Sequence, residues 1–160
     1  MQLVLALLLT SATFASGTVV PRTMVAHECG GANVSPALAW RAVPPGTRSF
    51  ALIVHDPDAP TPGGFYHWVV YDIPASTRGL SPRTLPPGRS GRNGTGSVGY
   101  FGPCPPPGKV HHYHVTLYAL DVRAIATAHP MTATELLARL RGHVLARASV
   151  IGLWRATGRP

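Results

Sequence analysis

The run FALIV, residues 50–54, is apolar on both alternating faces of an extended chain. A strand with one face in water carries polar residues on that face, so this one belongs inside a sheet covered on both sides. Two more runs have the same character: FYHWVVYDI at residues 65–73, after a connection containing Pro and Gly, and HHYHVTLYAL at residues 111–120. Three long apolar strands separated by turns imply a β-sandwich, or a large sheet with a covering layer. Seventeen Gly and seventeen Pro among 160 residues, with 12% charged, oppose a helical bundle and favour strands joined by many turns. The length suits one domain, which at this size buries about two-thirds of its unfolded surface.

Shorter signals fill in the rest. Leu38 and Trp40 stand two apart, as on one face of a strand, and PPG at residues 44–46 ends that segment in a turn. Thr132 and Glu135 form a capping box ahead of an apolar stripe of Leu136, Leu137 and Leu140, which predicts a helix. Gly142 ends or breaks it, residues 143–148 are compatible with another helical turn or two, and SVIGLW, residues 149–154, returns to strand. Between residues 86 and 110 Gly and Pro recur too densely for helix or regular strand. An ordered loop of that length costs conformational entropy, so it is expected to be irregular and to line a pocket.

Fourteen basic and six acidic side chains give a net charge of +8, which draws in phosphate, acidic protein or anionic lipid. The basic residues are scattered, with no run or arm, so no nucleic-acid footprint is read here. Cys29 and Cys104 lie 75 positions apart without a CxxC motif; they are either a disulfide or two buried thiols. The opening MQLVLALLLTSATFASG resembles a signal peptide, with an apolar run at residues 3–9 and Ala15 as the processing site, but has no Lys or Arg in front. The run is far shorter than the roughly 20 residues that cross a bilayer, so no transmembrane span is expected.

Candidate site residues cluster at strand ends. Asp56 and Asp58, two of only six carboxylates, sit in DPDAP directly after the first apolar run, with Pro57 and Pro60 restricting the backbone. The plain alternative is a pair of Asx turns closing a loop. His67 falls inside an apolar strand, where an imidazole needs a partner; a satisfied core histidine is the ordinary outcome, and a carboxylate of the Asp56 loop is the expected partner. In HHYHV a period of two puts His111, Tyr113 and Val115 on one face and His112 with His114 on the other. These histidines therefore cannot share a zinc ion, although Asp56, His67 and His111 remain a conceivable three-ligand set. A hydrolase would need a nucleophile such as Ser35, yet no GxSxG elbow exists and Ser35 before Pro36 reads as a turn residue. Phosphate-cradling glycine motifs are absent as well.

Taken together, NVSPALAW (residues 33–40), DPDAP (56–60), GFYHWVVYDIPA (64–75), GYFGPCPPPG (99–108), HHYHVTLYALD (111–121) and GHVLARASVIGLW (142–154) resemble the bacterial and archaeal, Raf-kinase-inhibitor-like branch of the phosphatidylethanolamine-binding proteins. The resemblance implies a mainly β fold, with a large antiparallel sheet packed on a smaller one and a C-terminal helix. It also implies a pocket for phosphate-like anions or a phospholipid head group, formed by Asp56, His67, His111 and Tyr113, with Asp58 beside them and Pro60, Phe65 and Pro106 as walls. The function expected is non-catalytic binding, with no cofactor or metal, acting as an inhibitor or modulator of a kinase or protease, in a monomer or a homodimer. The alternative is a small metal-assisted or general-base hydrolase using the same Asp and His cluster. In this family the first strand starts near Leu7 to Leu9, so residues 1–15 read as a signal peptide overlapping that strand, and residues 16–160 as the domain. Export or secretion is expected, which would permit a Cys29–Cys104 disulfide, and cytoplasmic residence is the alternative.

Overall fold

FALIV becomes the middle of β4, Ser49–Asp56, in a computed structural model that describes residues 6–125 and 127–158. Phe50, Leu52 and Val54 point to one side of β4, into a core shared with Leu38 and Trp40; the Trp40 and Phe50 rings lie 5.4 Å apart. Ala51 and Ile53 point to the other side, against Leu136 and Leu140 of the helix. Both faces of the strand are thus covered by different layers, as its double apolar pattern requires.

Around it runs a six-stranded sheet in the order β2-β9-β8-β4-β5-β7, formed by β2 (Thr18–Val19), β5 (Phe65–Pro74), β7 (Arg89–Ser90), β8 (His111–Leu120) and β9 (Val144–Trp154). Neighbours are antiparallel except β2, which lies parallel to β9. A three-stranded sheet, β1-β3-β6, covers one face with β1 (Leu8–Thr10), β3 (Leu38–Arg41) and β6 (Gly79–Leu80). The one α-helix among the described residues, α1 (Ala133–Leu140), covers part of the other face and starts at the expected box: Glu135 N–H donates to the Thr132 hydroxyl and Thr132 N–H to the Glu135 carboxylate.

Three expectations need correction or completion. Residues 143–148 are not helical: α1 stops at Leu140, Gly142 adopts a left-handed φ of 80°, and β9 begins at Val144 because it finds a partner along the whole of β8. Nor is the stretch 86–110 wholly irregular, since Arg89–Ser90 extends the large sheet along β5 and Arg92 bridges to Val98. Near the start of the chain, β1 pairs Leu8 with Arg41 and Thr10 with Ala39, and Leu7, Leu9 and Phe14 are buried, so a folded strand lies within residues 1–15. The first part of the apolar run, residues 3–5, lies outside the described residues. No helix among the described residues is long and apolar enough to cross a membrane.

Candidate functional site

β4 and β8 run antiparallel, so the last residue of one and the first residues of the other meet at one end of the large sheet. There the His111 Nδ1–H donates to Asp56 Oδ2 at 2.7 Å, and both residues are 2% exposed. The other carboxylate oxygen of Asp56 accepts the Asp58 N–H at 2.9 Å, an Asx turn. The turn and the site are one arrangement: the Asx bond aims the carboxylate that orients His111.

His67 reaches the same place by a bulge. From Val54↔Trp68 to His55↔Tyr66, β4 advances one residue while β5 advances two, leaving His67 as the extra residue. Strict alternation would send it to the helix side with Val69 and Tyr71; instead it stands with Tyr113, their rings edge to face at 5.1 Å. Its Nδ1 lies 2.7 Å from the Phe101 carbonyl, and Phe101 N–H donates back to the His67 carbonyl at 2.9 Å. A carbonyl only accepts, so Nδ1 carries the hydrogen and Nε2 of the neutral ring is an acceptor. Burial pushes the ring's pKa down to about 4, outweighing the opposing pull of the nearby carbonyls and the Asp56 charge. The expected partnership of His67 with a carboxylate of the Asp56 loop is therefore corrected: Nδ1 is taken by the Phe101 carbonyl, and Nε2 meets no carboxylate among the described residues.

Two buried polar atoms at the site have no partner among the described residues: His67 Nε2 and the Tyr113 hydroxyl. Burial, reinforced by the Asp56 carboxylate, raises the Tyr113 pKa and keeps that hydroxyl protonated. Each unsatisfied group costs about 1–3 kcal/mol. Both rings, with Asp56 and His111, line a cavity of about 130 Å³ whose walls include Pro60, Phe65, Phe101 and Pro106.

Seven sequence-derived residues thus converge: Asp56, His67, His111, Tyr113, Pro60, Phe65 and Pro106. Asp58 does not line this cavity. The chain turns at Pro57 and Asp58, so the Asp58 carboxylate lies outside, accepting the His112 N–H at 2.9 Å and pairing with His112 Nδ1 at 2.8 Å. These bonds hold its pKa below the usual value. It borders instead an outer groove of about 460 Å³, with Pro57, Pro107 and Lys109, which shares Pro60, Pro106 and His111 with the inner cavity. Ser35 is not a lining residue, and among the described residues no three His, Cys, Asp or Glu side chains are grouped to hold a metal ion.

Sequence reasoning missed Phe101 and Cys104 as individual lining residues, although it expected the loop that carries them to line a pocket. That wall is tied down from behind. Asn33 bridges it, donating to the Tyr100 carbonyl and accepting the Gly102 N–H, and the Tyr100 hydroxyl donates to the Met24 carbonyl. At Gly102 a Cβ would collide with that same Met24 carbonyl. Cys29 and Cys104 form a disulfide, which resolves the alternative left open by their spacing.

Residues 10–155 match the sequence profile of the phosphatidylethanolamine-binding protein family. A UPF0098 protein of Aquifex aeolicus is 40% identical over 151 residues, covering 91% of this chain and 86% of its own length. The UPF0098 protein YbhB of Escherichia coli is 37% identical, covering 86% of this chain and 93% of itself. The crystal structure of E. coli YbcL, described as a new member of the mammalian PEBP family, superposes with a TM-score of 0.88 at 34% identity, covering 94% of this chain and 99% of that one.

Proposed function

From the premise that the chain belongs to the phosphatidylethanolamine-binding protein family, we propose that it is a non-catalytic binding protein whose cavity holds a small phosphate-like anion. One observation carries this reading: a hydroxyl and an imidazole nitrogen, buried and unpartnered among the described residues, line a cavity beside His111, whose Nδ1 is held by Asp56. Such a site offers hydrogen-bond partners to a small polar ligand. The net charge of +8, and Lys109 on the adjoining outer groove, bring anions to it. Modulation of a kinase or protease through the rim follows from the family resemblance. The apolar N-terminal run and the disulfide, a bond that persists in oxidising compartments, support a reading of export.

A ligand that binds only the native state raises the melting temperature, by about 2.7 kcal/mol of stability at a hundred times its Kd. Phosphate and phosphorylethanolamine are expected to raise Tm in the wild type and not in Tyr113→Phe. An unchanged Tm in the wild type with either anion would reject the reading. The hydrolase alternative has one observation in its favour, since Asp56 and His111 at 2.7 Å have the geometry of an orienting carboxylate and a base. Turnover of phosphate or carboxylate esters, abolished by chelator or by His111→Ala, would establish it instead.

A further inference from the structure

β9 has two edges, and the large sheet uses only one of them in full. Towards β8 it is paired from Val144 to Trp154. On the other side its strand partner among the described residues is β2, opposite Gly152 and Leu153 alone. Alternation along the ladder decides which backbone groups face that open side. Ile151 N–H donates to the Ser16 hydroxyl, the Ile151 carbonyl accepts the Gly17 N–H, and the Leu153 carbonyl accepts the Val20 N–H, so both residues bond away from β8. Pairing with β8 keeps its register back to Ala146, so Ser149 and Arg147 aim their N–H and C=O the same way. The Thr116 and Ser149 hydroxyls, 2.8 Å apart, agree with this, because side chains come closest at a pair that exchanges no backbone bonds. Both Arg147 and Ser149 are exposed, and among the described residues their outward backbone groups meet no partner.

A charge on an open edge ordinarily keeps copies of the same chain from pairing there, and Arg147 stands in the middle of this one. In an antiparallel pairing of two copies centred on that residue, the two guanidiniums would be direct cross-strand neighbours, which destabilises. The same charge favours a partner of the opposite sign. Residues 136–158 carry Arg139, Arg141, Arg147 and Arg155 and no carboxylate. Asp121, which reaches the turn before β9, is engaged with His143 Nδ1 at 2.8 Å. At a net charge of +8 the whole molecule repels a second copy and draws in an acidic chain. Apolar contact is on offer as well, since Val144 and Leu145 at the start of the strand are 42% and 43% exposed.

We propose that the open edge of β9 at residues 145–149 is a docking site for an extended acidic segment of another protein, which adds a strand to the large sheet. The Arg147 and Ser149 N–H groups donate to carbonyls of the incoming strand, and the Arg147 and Ser149 carbonyls accept its N–H groups. Carboxylates at alternate positions of that strand share a face with Arg147 and lie beside its guanidinium. The edge lies at the end of β9 away from the anion cavity, since His111 pairs with Trp154 and Leu120 with Val144. Docking here and anion binding there therefore stand or fall separately.

NMR titration of the nitrogen-labelled protein with a short, end-blocked peptide of alternating Val and Glu, and with the same peptide carrying Lys for Glu, tests the inference. The acidic peptide is expected to shift the Arg147 and Ser149 amide signals and to slow their hydrogen exchange. Exchange at Ala148 and Val150, whose amides already bond to β8, should stay as it was. Exchanging a favourable cross-strand charge pair for a like-charge one should weaken the Lys peptide by about fivefold or more. Arg147→Glu should reverse that preference. Ser149→Pro removes one outward donor and leaves the β8 ladder intact, because proline is tolerated where an edge N–H faces solvent; it should weaken the acidic peptide about tenfold. If the proline variant fails to fold, Arg147→Glu still decides. Equal affinity for the two peptides, an unreversed preference in Arg147→Glu, or slowed exchange confined to other elements would overturn the inference. So would binding by neither peptide, or dimerisation of the wild type through these same amides.

Discussion

Two Asp–His pairs stand almost side by side in this molecule. Asp56 with His111 and Asp58 with His112 have N–O distances of 2.7 and 2.8 Å, and in each an Nδ1 meets one carboxylate oxygen. Their surroundings are opposite: side-chain exposure is 3% and 2% for the first pair, 30% and 48% for the second. Alternation along β8 sends His111 inward and His112 outward, and the turn after β4 carries Asp58 out to meet His112. Distance therefore does not distinguish a site from a surface contact here; desolvation does. In water the outer pair gains little, because solvent competes for both partners and screens the charges. Inside, removing one partner leaves the other buried without compensation.

Truncating the two carboxylates tests that difference most directly. Asp56→Ala strands the His111 Nδ1–H and the Asp58 N–H, and is expected to cost about 3–5 kcal/mol. Asp58→Ala should cost under about 1 kcal/mol. Urea denaturation of the two variants beside the wild type measures both, and equal losses would show that burial does not separate the pairs.

Much of this contrast can be read from the sequence, and the unreadable part has a physical cause. The period of two in HHYHV by itself separates His111 and Tyr113 from His112 and His114, because alternation is a local property of a strand. The capping box and the double-faced run at β4 are legible for the same reason. By contrast, DPDAP offers two aspartates with nothing local to rank them, and only the turn at Pro57 and Asp58 decides which faces inward. His67 owes its direction to a bulge between β4 and β5, which is a property of the pairing rather than of FYHWVVYDI itself. Pairing also overrides local preference at residues 143–148, where alignment with β8 makes strand of a segment compatible with helix.

The inner pair has a wall that the outer one lacks. Phe101, Cys104 and Pro105 line the inner cavity and not the outer groove, and the disulfide anchors that segment to Cys29, 75 positions away. A cross-link closing so long a loop stabilises by about 3–4 kcal/mol, largely by restricting the unfolded chain. Cys29→Ser with Cys104→Ser should lower stability by roughly that amount. It should also weaken phosphate binding and leave the Asp58–His112 contact intact, as read by the His112 NMR signal. Unchanged phosphate affinity in the folded double variant would show that hydrogen bonds from Asn33 hold the wall without the cross-link.

Protons provide a finer comparison of the two sides. His67 titrates near 6.5 unfolded and at about 4 in the folded protein, so between those values the unfolded chain holds more protons and acid favours it. Stability from this group is complete above pH 6.5 and is lost as pH falls towards 4, by at most about 3 kcal/mol. Asp58 also has a lowered folded pKa, so its contribution is present above its ordinary value of 3.8 and is lost as pH falls through the lower folded one. Being partly exposed to solvent, it should contribute under about 1 kcal/mol. Urea midpoints measured against pH should therefore show a larger step above pH 4 that His67→Phe removes, and a smaller one below it that Asp58→Asn removes. A step above pH 4 that survives His67→Phe would show that the bulged histidine is not the group that makes the fold sensitive to acid.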